Sequence, residues 1–126
     1  MKKLLAILAT ACLAASASAG EYPDISINEL KAALASGKVA VIDVNGSSSY
    51  RKGHIPTAVD FESSNSKLAA VLPADKSALV VAYCGGPQCH AYQAAASQAE
   101  KLGYTNVKHL SAGISGWMKA GEKTEK

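Results

Sequence analysis

Short apolar runs alternate along this chain with segments whose apolar residues recur at helical spacing. VAVIDV (39–44) and ALVVAY (78–83) are continuous, apolar and rich in β-branched residues, which predicts strands covered on both faces. AVDF (58–61) and NVKHL (106–110) read as two further short strands. Between them, Ser26-Ile27-Asn28-Glu29 matches a capping box, Leu30, Ala33 and Leu34 follow at helical spacing, and Gly37 stands where that helix would stop. A helical turn is expected around Tyr50 before Gly53, and a brief helix over 66–72 before Pro73. A longer helix is expected over 90–102, ended by Gly103, and a short one over 114–120. The polar end, GEKTEK, reads as a loose tail.

Strands alternating with helices predict an α/β domain with a mainly parallel central sheet and helices on both faces. In open sheets of this kind, ligands sit beyond the carboxyl ends of the strands. Cys84 occupies such a position, directly after the most apolar strand and before a helix.

The N-terminus changes the picture of where the domain begins. Lys2 and Lys3 precede an apolar run from Leu4 to about Ala15, and Ala17-Ser18-Ala19 supplies small residues at its end. This is the layout of a secretory signal, and cleavage is expected after Ala19, giving a periplasmic or secreted protein. An uncleaved anchor is the competing reading, but the run falls short of the roughly 20 residues a membrane span requires. Ala9-Thr10-Ala11-Cys12 is a weaker match to a lipoprotein cleavage site. The expected division is a signal peptide over 1–19, one domain over 20–121 and a polar tail over 122–126. No second apolar run of spanning length follows, so no membrane segment is expected after cleavage, and the mature chain is taken as a monomer. Acidic and basic residues nearly balance once Lys2 and Lys3 are removed, and they are scattered, which argues against a nucleic-acid partner.

Of three cysteines, Cys12 lies in the leader, and Cys84 and Cys89 lie together in YCGGPQCH (83–90). One bridge between residues so close would close a very small loop and add little stability, which argues against a purely structural disulfide. A strand, a glycine-containing loop and a helix instead form an anion cradle, and such surroundings lower the pKa of a thiol. Gly85 and Gly86 let the backbone curl tightly, while Pro87 stiffens it and removes one N–H. The residues thus point to Cys84 as a nucleophile, with the amides of Gly85, Gly86, Gln88, Cys89 and His90 stabilising charge on its sulfur.

Three stretches, in order, resemble the single-domain rhodanese family of sulfurtransferases. VIDV followed by YRKGHIPTA resembles its first signature, VVAYC with its loop resembles the active-site segment, and HLSAGISGWMKAG resembles the closing Gly-x-x-x-Trp element. The resemblance covers most of residues 24–121. It implies a rhodanese-like fold and a persulfide on Cys84, loaded from a sulfane donor such as thiosulfate or polysulfide and passed to a thiol or cyanide. The implied partners are small sulfur compounds and a thiol protein acceptor; no metal or organic cofactor is implied. Two positions depart from the family pattern. Cys89 stands where the loop often ends in arginine, which argues against a phosphatase role, and Asn45 stands where Asp-Val-Arg is usual; together they weaken thiosulfate as donor and favour polysulfides, persulfides or a protein partner.

Other readings compete. Cys89 is either a small packing residue or a resolving thiol that would make Cys84 and Cys89 a thiol–disulfide redox pair. Cys84, Cys89 and His90 together resemble a lengthened haem attachment site or a soft-metal site, although the spacing is wrong for haem and only three ligands gather. A non-catalytic binding module of the same family is a third class. His54 reads as a turn residue with a satisfied ring, and His90 as the opening of the helix, able to lend charge when protonated. Asp43 reads as a structural hydrogen-bonding group, Arg51 and Lys52 as solvated, and Trp117, Leu110 and Ile114 as core; His109 receives no role.

Overall fold

The computed structural model describes residues 22–126, so the expected leader and its cleavage point lie outside the described residues. The chain runs α1 (Ile27–Ser36), β1 (Val39–Asp43), α2 (Ser47–Lys52), β2 (Val59–Asp60) and α3 (Phe61–Ser64), then a 3-10 turn (Asn65–Lys67). It continues through α4 (Leu68–Val71), β3 (Leu79–Tyr83), α5 (Tyr92–Lys101), β4 (Asn106–His109) and α6 (Gly113–Lys119). The four strands form one parallel sheet in the order β2-β1-β3-β4. The chain steps from β1 to one side and then to the other, so the switch point lies between the carboxyl ends of β1 and β3. No helix among the described residues is long and apolar enough to cross a membrane.

Strand alternation divides the core between the two faces. Val80, Ala82 and Cys84 pack with Ile42 against Leu68 of α4 and Tyr92, Ala95, Ala96 and Ala99 of α5. Val41, Val81 and Tyr83 face the other way, against Leu30 of α1, Ile55, Leu110 and Trp117 of α6. Small alanines on α5 let its backbone lie close to the sheet. The capping box at Ser26 and Glu29 starts α1 as its sequence predicts, and Gly37 closes it at φ 73°.

Three expectations are corrected. The strand over 58–61 is only Val59–Asp60, because the Asp60 carboxylate accepts from the Glu62 N–H (3.1 Å) and turns the chain into α3. The helix over 66–72 begins as the 3-10 turn and becomes α-helical only at Leu68. The polar tail is docked. His54 and Glu125 exchange two backbone hydrogen bonds of 2.9 Å, and the Trp117 indole N–H donates to the Lys123 carbonyl at 2.8 Å. Glu122 pairs with Lys31 at 3.0 Å.

Candidate functional site

Cys84 follows β3 at the switch point and is almost fully enclosed, at 3% exposure. Its side chain lies on the α5 face of the sheet, continuing the alternation of Val80 and Ala82. The backbone beside it is held from the opposite face. At the start of α6, Ile114 N–H donates to the Cys84 carbonyl and Ser115 N–H to the Gly85 carbonyl, both at 3.0 Å. Gly113 makes this approach possible, since a Cβ there would lie 2.5 Å from the Gly85–Gly86 peptide, and its φ is +64°. In a trans peptide the N–H points opposite to the C=O. Pinning those two carbonyls toward α6 therefore directs the N–H groups of Gly85 and Gly86 toward the face that carries the Cys84 side chain.

Among the described residues, neither of those two N–H groups, nor those of Gln88 and His90, donates to a backbone carbonyl. The Cys89 N–H does, closing a turn onto the Gly86 carbonyl at 3.1 Å. Cys89 is thus removed from the expected set of charge-stabilising amides. His90 is corrected too: it is exposed and lies before α5, which starts at Tyr92, and its carbonyl accepts from the Gln93 N–H. Pro87 and Gln88 form the exposed tip of the loop.

Cys84 and Cys89 are joined by a disulfide, with Cα atoms 6.2 Å apart. That separation lies inside the usual disulfide range. Cys89 is the partly exposed member, Cys84 the buried one. In this state neither sulfur is free to ligate, and no group of three or more His, Cys, Asp or Glu among the described residues is arranged to hold a metal. Asn45 lies beside the loop, its side-chain oxygen 3.8 Å from where a Cβ on Gly85 would stand.

A buried hydrogen-bonded chain joins Tyr83, the last residue of β3 and the one before Cys84, to the Gly-His-Ile-Pro turn. The Tyr83 hydroxyl donates to Asp43 Oδ2 and accepts from the Ile55 N–H at 3.0 Å, while Asn45 N–H donates to Asp43 Oδ1 at 2.7 Å. Burial raises the Asp43 carboxyl above its usual range, although the Tyr83 and Asn45 hydrogen bonds pull the other way. Burial, and then the Asp43 hydrogen bond, push the Tyr83 hydroxyl far up as well. His54 is buried, with Nδ1 2.8 Å from the Tyr50 carbonyl and its ring stacked on Tyr50 at 3.7 Å, which matches the satisfied turn residue expected. His109 stacks on Tyr92 at 4.1 Å, and burial lowers its pKa. Nothing in the sequence pattern singles out Gly113 and Ser115 as loop partners; their segment enters the sequence reading only as the closing Gly-x-x-x-Trp element.

A cysteine loop at the switch point of a four-stranded parallel sheet, with a final helix braced against it, defines a rhodanese-type domain. The rhodanese-like domain family model matches residues 26–120, and the chain belongs to that family. Among solved structures it is similar to the BH2092 protein of Bacillus halodurans, with 26% identity and a TM-score of 0.66, covering 82% of this chain and 77% of that one. It is also similar to a thiosulfate sulfurtransferase from Pseudomonas aeruginosa, with 28% identity and a TM-score of 0.70. That match covers 84% of this chain but 20% of the larger protein. The Alr3790 protein of Anabaena sp. matches at 26% identity and a TM-score of 0.65, covering 80% of this chain and 79% of that one. No curated protein matches the chain.

Proposed function

We propose that the protein is a sulfurtransferase that carries sulfane sulfur as a persulfide on Cys84. Reduced Cys84 attacks the outer sulfur of a donor, the donor's remaining group leaves as an anion, and a thiol or cyanide then takes the sulfur from Cys84. The observation that carries this reading is the pinning of the Cys84 and Gly85 carbonyls by α6, which turns two loop amides toward the side of the reactive sulfur. Such amides favour both the thiolate and the terminal anion of a persulfide. With Cys89 at the loop's end in place of a cation, polysulfides and low-molecular-weight persulfides suit the site better than thiosulfate as donors. The leader-like first 19 residues support an exported setting for this chemistry.

The disulfide favours a second reading, a thiol–disulfide redox module built on the same two cysteines. One experiment separates the two. Cys89→Ser, which cannot form the disulfide, is reduced, freed of reductant, offered thiosulfate, polysulfide or glutathione persulfide, and weighed intact beside Cys84→Ser. Cys89→Ser should gain one sulfur atom and Cys84→Ser none. If no donor ever adds sulfur to Cys89→Ser, while wild type only loses two hydrogens, the redox module is correct and the sulfurtransferase reading falls.

A further inference from the structure

We infer that Cys89 resolves the Cys84 persulfide, so that the protein reduces sulfane sulfur to hydrosulfide at the expense of a dithiol reductant. This rests on the sulfurtransferase reading above and extends it by naming the final acceptor. Cys89 Sγ is bonded to Cys84 Sγ itself, which is the inner sulfur of any persulfide formed at that residue. The resolving thiol therefore reaches the inner atom without moving the 6.2 Å Cα pair apart. The turn that the Cys89 N–H closes onto the Gly86 carbonyl holds it there, and Gly86 is itself held through the Gly85 peptide that rests on Gly113.

The balance of the step follows from which sulfur is attacked. The Cys89 thiolate forms a bond to Cys84 Sγ, the bond between that sulfur and the terminal sulfur breaks, and hydrosulfide leaves with the electron pair. Two cysteine thiols are oxidised to one disulfide, and one sulfane sulfur is reduced to sulfide. Attack on the terminal sulfur would instead pass the persulfide to Cys89 and release nothing.

Regeneration has a direction as well. Cys84 is buried, whereas Cys89 is partly exposed, so an incoming thiolate meets the Cys89 sulfur. The group expelled is then the Cys84 thiolate, the one favoured by the loop amides, and a better-stabilised thiolate leaves faster. The incoming thiol is left in a mixed disulfide with Cys89, and a second thiol on the same reductant displaces it. The reductant is for this reason a dithiol, which ends as its own disulfide. Over the whole cycle one sulfane sulfur and one dithiol become one hydrosulfide and one disulfide.

The test is a single turnover of reduced protein with one equivalent of glutathione persulfide, without oxygen or added reductant, with Cys84→Ser as the blank for decay of the donor. Wild type should release about one hydrosulfide per chain above the blank, retain no sulfur, and lose two hydrogens. Cys89→Ser should hold one added sulfur on Cys84 and release at least tenfold less hydrosulfide. Spent wild type that is treated with dithiothreitol, freed of it and given a second equivalent of glutathione persulfide should show a second turnover of equal size. If wild type keeps its sulfur as long as Cys89→Ser and releases no hydrosulfide, the resolving role is overturned while the persulfide stands. If Cys89→Ser takes up no sulfur, the persulfide reading falls and this inference with it.

Discussion

Replacing Gly113 by alanine would place a methyl group 2.5 Å from the carbonyl carbon of Gly85 and the nitrogen of Gly86, both backbone atoms that cannot swing aside. Gly113 also has φ +64°, so alanine there carries the left-handed penalty of roughly 1–2 kcal/mol. A smaller unfolded chain entropy offsets about 0.4–1 kcal/mol of that. The clash is relieved only if the loop lifts from α6, which stretches or breaks the bonds from Ile114 N–H to Cys84 O and from Ser115 N–H to Gly85 O. Each is worth about 0.5–1.5 kcal/mol. Gly37 is the control, with φ +73° and nothing within 4 Å of the added carbon. It shares the backbone penalty and lacks the contact. Gly37→Ala should therefore cost about 1 kcal/mol or less, and Gly113→Ala roughly 2–4 kcal/mol, measured by urea unfolding of reduced protein. Gly113→Ala should also slow persulfide loading of Cys84, because the amides of Gly85 and Gly86 move with the lifted loop. Equal destabilisation of the two variants, within about 0.5 kcal/mol, would refute the claim that α6 braces the loop through this contact.

Other substitutions probe the supports around the loop. Tyr83→Phe leaves Asp43 Oδ2 and the Ile55 N–H without their shared partner, and should cost about 2–4 kcal/mol by denaturant unfolding. Because the folded-state pKa of Asp43 is raised, its contribution is most favourable below the unfolded carboxylate value of about 3.9 and is lost as pH rises from there through the folded pKa. Asp43→Asn removes that titration, so the stability of wild type relative to the variant should fall as pH rises across that window; a flat difference in unfolding free energy would contradict the raised pKa. Deleting residues 122–126 strips the Lys123 carbonyl from the buried Trp117 indole and the paired backbone bonds between His54 and Glu125. The truncated chain should melt at least about 8 °C lower, a shift corresponding to 1–2 kcal/mol in a domain of this size.

The features that repeat locally were legible in the sequence. The apolar runs at 39–44 and 78–83 became adjacent parallel strands, paired Val41 with Val81, because continuous β-branched sequence suits a strand covered on both faces. Trp117 and Leu110 are core as expected, each 2% exposed, and Ile114 packs at its margin. The position of Cys84 at a strand's carboxyl end followed from that same pattern. Features resting on single long-range contacts were hidden. The short β2 reflects one carboxylate, Asp60, capping the next turn rather than any hydropathy. The tail docks through backbone groups and one indole N–H, neither of which leaves a periodic trace in a polar segment. The reach of Cys89 to Cys84 is a distance, and the use of its N–H in the turn onto Gly86 is a direction; residue spacing encodes neither.

The brace on the cysteine loop also sets an order of events during synthesis. Ile114 and Ser115, which orient the loop, and Lys123 and Glu125, which fasten α6 and the His54 turn, are all supplied by the final stretch of the chain. A nascent polypeptide leaving its exit channel amino end first has Cys84 and Cys89 in the open before any of these residues arrive. During that interval the loop lacks the bonds from Ile114 and Ser115 that pin the Cys84 and Gly85 carbonyls. On the sulfurtransferase reading proposed above, the loop amides are oriented only after α6 has been made, so a product truncated before α6 should load Cys84 more slowly than a chain that carries it.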